Sequence, residues 1–235
     1  MQGTVQSNVE ERAIRVATGR VTLEGNLNLP REARGVVLFA HGSGSSRHSP
    51  RNRHVATVLN EGKLATLLID LLTPDEEAID LRTAQLRFDI GLLAERLVGT
   101  TDWLTQHEDT RHLRIGIFGA STGAAAALVA AAERPNVVDA VVSRGGRPDM
   151  AGSALPHVRA PTLLVVGGND TQVLELNRMA YAQLRCERRL MIVAGATHLF
   201  EEPGALDEVA QLARDWFERH LASTEARAEP ATPPA

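Results

Sequence analysis

The chain has 235 residues, 43% hydrophobic and 23% charged, with 3% aromatic residues, one cysteine and a net charge of −4. Lone Cys186 excludes an internal disulfide framework and a cysteine-based zinc cluster, and the acidic balance argues against a nucleic-acid partner. No apolar run reaches the ~18 residues that span a bilayer, and the polar start MQGTVQSNVEERA is unlike a signal peptide, so a cytoplasmic globular protein without a membrane partner is expected.

Residues 1–10 read as uncommitted. Residues 12–17 and 21–29 alternate in hydrophobicity around Thr18-Gly19-Arg20, which predicts an antiparallel hairpin. Short apolar runs follow at 36–40, 64–69, 113–118, 137–142, 162–166 and 190–193, bounded by Gly, Asp or Pro, as in buried parallel strands. Helical patterns lie between them. One places Leu86, Ile90, Leu93, Leu97 and Leu104 on a stripe, with Arg87, Glu95 and Arg96 elsewhere; another runs 173–184; a last one carries Leu206, Val209, Leu212, Trp216 and Phe217. This alternation predicts a mostly parallel sheet of about eight strands covered by helices on both faces. No linker divides residues 1–222, which are expected to be one domain. The stretch 223–235, STEARAEPATPPA, is expected to be a disordered tail.

In such sheets ligands bind at the carboxyl ends of the strands, so the loops there are read for chemistry. The run 113–118 leads into Gly119-Ala120-Ser121-Thr122-Gly123 and then an alanine-rich helix. This is a G-x-S-x-G turn between strand and helix, where a serine nucleophile needs small neighbours. Asp170 follows the strand at 162–166, and His198 follows the strand at 190–193. The order Ser121, Asp170, His198 is that of a triad assembled on this kind of sheet. Asp149 competes for the acid but lies several residues into its loop. After the strand at 36–40 comes His41-Gly42-Ser43-Gly44. There the backbone N–H of Ser43, or alternatively of Gly44, can join that of Thr122 in an oxyanion hole. His41 is read as shaping that loop rather than as a base.

Together His41-Gly42, Gly119-x-Ser121-x-Gly123, Asp170 and His198 resemble the α/β-hydrolase superfamily, over nearly everything from Arg12 to Leu221. The small size looks most like the dienelactone-hydrolase-like group, although dienelactone hydrolases proper carry cysteine where this chain has Ser121. The resemblance implies an α/β-hydrolase fold. Only 143–160 separates two strands where relatives insert a helical lid, so no lid domain is expected.

The expected activity is hydrolysis of a small carboxylic ester through an acyl-enzyme, with no cofactor. Acyl transfer or thioester cleavage with the same triad, and a non-catalytic ligand receptor on the same scaffold, are the alternatives. Arg47, Arg51, Arg53, Arg144 and Arg147 fall in loops on the catalytic side. Either these arginines form a basic rim that holds an anionic substrate group, or they pair with Asp149, Glu201 and Glu202 or cap helix ends; of them Arg47, Arg144 and Arg147, with Gly44, are expected to bind substrate. Phe200, two residues past His198, is expected to line the cleft. His48 and His54 lack the neighbours of a metal site, and none is expected. Monomer and homodimer both remain open.

Overall fold

The computed structural model describes residues 9–222; the 223–235 tail falls outside them. Strands β1 (Val9–Thr18) and β2 (Val21–Pro30) form the expected hairpin. Its ladder runs to Val9↔Pro30, so Val9 and Glu10, read from sequence as uncommitted, are ordered by a partner strand. The other strands are β3 (Gly35–Ala40), β4 (Leu64–Ile69), β5 (Arg114–Ala120), β6 (Val138–Arg144), β7 (Thr162–Gly167) and β8 (Arg188–Val193). They form one eight-stranded sheet in the order β1-β2-β4-β3-β5-β6-β7-β8. β2 meets β4 antiparallel, and every pairing from β4 to β8 is parallel.

Helices α1 (Pro50–Glu61), α2 (Pro74–Thr83), α3 (Ile90–Leu104), α4 (Thr122–Glu133), α5 (Thr171–Gln183) and α6 (Ala205–Leu221) connect the strands or close the chain. The central strands alternate between two separate cores. Val36, Leu38, Ile115, Ile117 and Leu164 pack with residues of α3 and α4 on one face. Val37, Phe39, Phe118, Val142 and Val165 pack with Val55, Leu59, Trp216 and Phe217 of α1 and α6 on the other. Burial on both faces is why these strands read as unbroken apolar runs. Gly116 is required by that packing, because a Cβ there would lie 2.5 Å from Phe217. Each fully buried Leu or Phe contributes about 1.5–3 kcal/mol, so the two cores account for a sheet that needs no staple.

The stripe predicted for α3 is right at Leu93, Leu97 and Leu104, but Leu86 belongs to a separate 3-10 turn, Leu86–Phe88. Arg96, expected outside the stripe, is buried and pairs with Glu76 at 2.8 Å. Glu76 also closes a capping box with Thr73 at the start of α2. Between β6 and β7 the chain forms only a short 3-10 segment, Pro148–His157, and no lid. Among the described residues no helix is long and apolar enough to cross a membrane.

Candidate active site

At the carboxyl end of β5 the chain turns through Ser121, whose φ of 51° and ψ of −123° are sparsely populated for a side chain with a Cβ. Such strain costs on the order of 1–3 kcal/mol and persists only where the surroundings impose it. They do so here. The Ser121 N–H donates to Arg144 O at 3.2 Å, and Ser121 O accepts from the N–H groups of Ala124 and Arg147, both at 3.1 Å. The flanking glycines are obligatory. A Cβ on Gly119 would lie 2.4 Å from Ala124 Cα, and one on Gly123 would lie 2.3 Å from Ala40 O. The serine is therefore presented where α4 begins, with that helix pressed onto β3 and β5.

Asp170 and His198 leave neighbouring strands, β7 and β8, and their loops are bonded together. Asn169 N–H donates to Ala196 O at 2.9 Å, and its side-chain amide donates to Gly195 O at 2.8 Å. Asp170 stands at the N-terminus of α5 but makes no side-chain cap there. Its Oδ2 instead faces His198 Nδ1 at 2.7 Å. Asp149, the competing acid, is occupied by a two-pronged pair with Arg147 at 2.9 and 2.8 Å. With Nδ1–H directed at the carboxylate, Nε2 of His198 is left as the acceptor. The histidine loop crosses above the β6 turn: a Cβ on Gly145 would lie 3.1 Å from His198 O and 3.6 Å from its Cε1. Ser121 and His198 thus each touch the end of β6 and the turn after it, Ser121 through Arg144 O and His198 above Gly145.

The loop after β3 forms the opposite wall. His41 donates from Nδ1 to Gly42 O at 3.0 Å and accepts at Nε2 from Leu71 N–H at 3.1 Å. Both ring nitrogens are engaged, and burial pushes the imidazole pKa down, which keeps the acceptor nitrogen unprotonated. Gly42 lies against Ser121, since a Cβ there would be 3.0 Å from Ser121 Cβ. The Ser43 N–H points at Thr122 Oγ1, 3.1 Å away, so one of the two nominated oxyanion donors is held by the side chain of the other residue. Beside this wall opens a cavity of about 250 Å³ lined by the 41–46 loop with Leu71, Leu81, Arg87 and Thr122. Exposed Gly44, at φ 70°, is part of it.

Sequence reasoning missed α2 as a wall of that cavity. Asp80, Leu81 and Arg87 line it, and the sequence reading assigns no role to this segment. The signal was available: this segment follows the carboxyl end of β4, where the same strand-end rule applies. Asp80 is 3% exposed. Burial works against its carboxylate, but hydrogen bonds from the Arg87 backbone and guanidinium prevail and hold its pKa below the usual range.

Other expectations need correction. Phe200 does not line the cleft; it is 1% exposed, sits at φ 57° and packs its ring beneath Gly145. Arg47 and Arg147 are not free for an anion. Arg47 pairs with Asp70 and with Glu24, and Arg147 pairs with Asp149. Arg51 reaches Glu201 at 3.3 Å, as the pairing alternative required. Glu202 takes no arginine and accepts from Thr197 N–H at 3.0 Å, which lowers its pKa. Arg144 does not follow the pairing alternative: it is buried, and no carboxylate pairs with it.

Comparison with known proteins places this arrangement. Residues 30–224 match the dienelactone hydrolase family. A dienelactone hydrolase crystal structure from Anabaena variabilis is 66% identical, covers 92% of this chain and 100% of its own, and superposes with a TM-score of 0.90. The structure of Est1E from Butyrivibrio proteoclasticus shares the fold at a TM-score of 0.75 and 16% identity, over 90% of this chain and 99% of its own. Two Mycobacterium tuberculosis strains have a protein named as a proposed phosphoribosyl transferase that is 57% identical over 91% of this chain. The chain spans about half of those relatives, 47% of their length. The eight-stranded sheet is that of the α/β-hydrolase fold, and the chain belongs to the dienelactone hydrolase family.

Proposed function

We propose that the protein is a serine hydrolase of carboxylic esters. The observation that carries this reading is the 2.7 Å contact of His198 Nδ1 with Asp170 Oδ2, together with a serine held at φ 51° on the strand–helix turn. Ser121 Oγ attacks the ester carbonyl while His198 Nε2 takes its proton. The same imidazolium then protonates the departing alcohol, and water repeats the cycle on the acyl-enzyme. Asp170 fixes the tautomer and stabilises the imidazolium. The N–H of Thr122, at the positive end of α4, meets the developing oxyanion. The N–H of Ser43 joins it as Thr122 Oγ1 yields that bond.

Membership of a hydrolase family supports the reaction class. We take the transferase name of the mycobacterial relatives to describe the portion of them that this chain does not span. A fluorophosphonate probe tests the assignment. It should label wild-type protein at Ser121 and release of p-nitrophenol from p-nitrophenyl acetate should stop in proportion, whereas labelling of Ser121→Ala to the wild-type extent would refute it.

A further inference from the structure

We propose that Asn177 is a positioning residue for the nucleophile: through the Gly145-Gly146 turn it couples the helix that begins after Asp170 to the strained backbone of Ser121. The proposal rests on the serine-hydrolase reading for its effect on rate. The brace itself is a matter of backbone geometry, which can be measured without any substrate.

Ser121 keeps its left-handed φ of 51° with both of its backbone groups held by one segment. Its N–H donates to Arg144 O, and its carbonyl accepts from the Arg147 N–H. Between these two residues stand Gly145 and Gly146, and glycine has the freest backbone of any residue. Gly145 sits at φ 49° beneath His198, and its N–H donates to Val165 O at 2.8 Å. Gly146 is pressed between β6 and α4, where a Cβ would lie 2.0 Å from Ser143 Oγ and 2.6 Å from Ala124 Cβ. Its carbonyl accepts from Asn177 Nδ2 at 3.0 Å. The least constrained stretch of the segment that holds Ser121 is thus fastened by a side chain of α5.

Leu174, Asn177 and Ala180 are the buried residues of α5, and Asn177 is fully buried. An amide is costly there. Its Oδ1 is buried without a partner, and its other bond, to Val173 O at 2.8 Å, goes to a carbonyl one turn back in its own helix. A leucine would fill the same position with no polar atom to satisfy. What the asparagine adds is a donor for Gly146 O. Its orientation serves that use, since turned over it would set its oxygen against two carbonyls. Asp170, which bonds His198, stands at the start of the same helix. One helix therefore carries the acid at its N-terminus and ties down the turn of the nucleophile through Asn177. Without the second tie, Ser121 is free to shift relative to His198.

Asn177→Leu removes the donor at similar volume, and Asn177→Ala removes it while leaving space. In both, kcat for p-nitrophenyl acetate should fall by about ten- to hundredfold, the cost of a misplacement on the order of 1 Å at the reacting groups, with KM changed by less than about threefold. The rate at which a fluorophosphonate labels Ser121 should fall by the same factor, because labelling needs the same attack assisted by His198. Leu184→Val is the control for a merely structural role. It trims a buried side chain at the far end of α5, so Tm should drop while kcat stays within about twofold of wild type. Hydrogen exchange reads the brace without substrate: the amides of Ser121 and Arg147 should exchange about tenfold faster in Asn177→Leu than in wild type. Unchanged exchange there, a wild-type labelling rate, or a loss of kcat matched by Leu184→Val overturns the proposal. Faster exchange in a protein whose wild type cleaves no ester would sink the hydrolase reading and keep the brace. Ester cleavage that both Asn177 variants leave intact would sink the brace and keep the hydrolase reading.

Discussion

On the oxyanion side of Ser121 the polar groups are paired within the protein, whereas on the histidine side a buried guanidinium has no partner. The first wall ties His41 to Gly42 and Leu71, Ser43 to Thr122, and Arg87 to Asp80. The second buries Arg144 beside another arginine. A wall satisfied before substrate arrives must give up a bond to meet charge that develops during reaction, as the Ser43 N–H must leave Thr122 Oγ1. Two different ways of satisfying polar groups thus lie within a few residues of one serine.

The largest expected effect lies on the seam between the walls. Ser121→Ala should lower kcat for ester hydrolysis by about five to six orders of magnitude while leaving the thermal transition in place, measured by burst kinetics and calorimetry. Activity within tenfold of wild type would remove the seam from the argument. Next, Asp170→Asn should cost on the order of 10⁴ in kcat through the wrong histidine tautomer. Asp149→Asn, which disturbs only the pair with Arg147, should cost far less. Equal losses from the two variants would mean that the 2.7 Å contact with His198 is not what orients the base.

A smaller effect probes the oxyanion wall alone. Thr122→Val keeps the shape and the backbone donor but leaves the Ser43 N–H without the acceptor it has at 3.1 Å. The loop should loosen and kcat should fall by about tenfold, less than the 10²–10³ lost with an oxyanion donor itself. Thr122→Ser, which retains the oxygen, should restore most of the rate. A faster Thr122→Val would show that the hydroxyl competes with the oxyanion rather than holding the loop for it.

Much of this was legible in the chain. Buried parallel strands announce themselves as apolar runs because both faces are covered, and the order Ser121, Asp170, His198 follows from where those runs end. What stayed hidden depended on which way a side chain turns after its strand stops. Arg144 and Arg147 are three residues apart in one loop region, yet one is drawn into the α1–α6 core by strand alternation and the other stays out to meet Asp149. Phe200 looked like a cleft residue by its distance from His198. Its left-handed backbone at φ 57° turns the ring inward, and no pattern in a single sequence reports that. The role of α2 was obscured differently: Glu76 is tied to Arg96 and to the cap of its own helix, pairings that no periodicity reports.

The finest test of the paired wall is its response to acid. His41 is held neutral by burial, against the pull of Asp70 and Glu77 toward the charged form, so its pKa in the folded protein lies below the unfolded value of about 6.5. The folded state therefore binds fewer protons than the unfolded state between those two values, and stability must rise with pH across that window. What the neutral ring contributes is complete above about pH 6.5 and is lost as pH falls through the folded value, because a proton on Nε2 would oppose the Leu71 N–H it now accepts. His41→Asn removes the titration and the Leu71 acceptor together. At pH 8 the variant should melt about 2–4 °C lower, the equivalent of one net hydrogen bond in a chain of this size. By pH 5 the gap should narrow. A gap that stayed constant from pH 8 to 5 would show that the His41 bonds do not depend on a neutral ring.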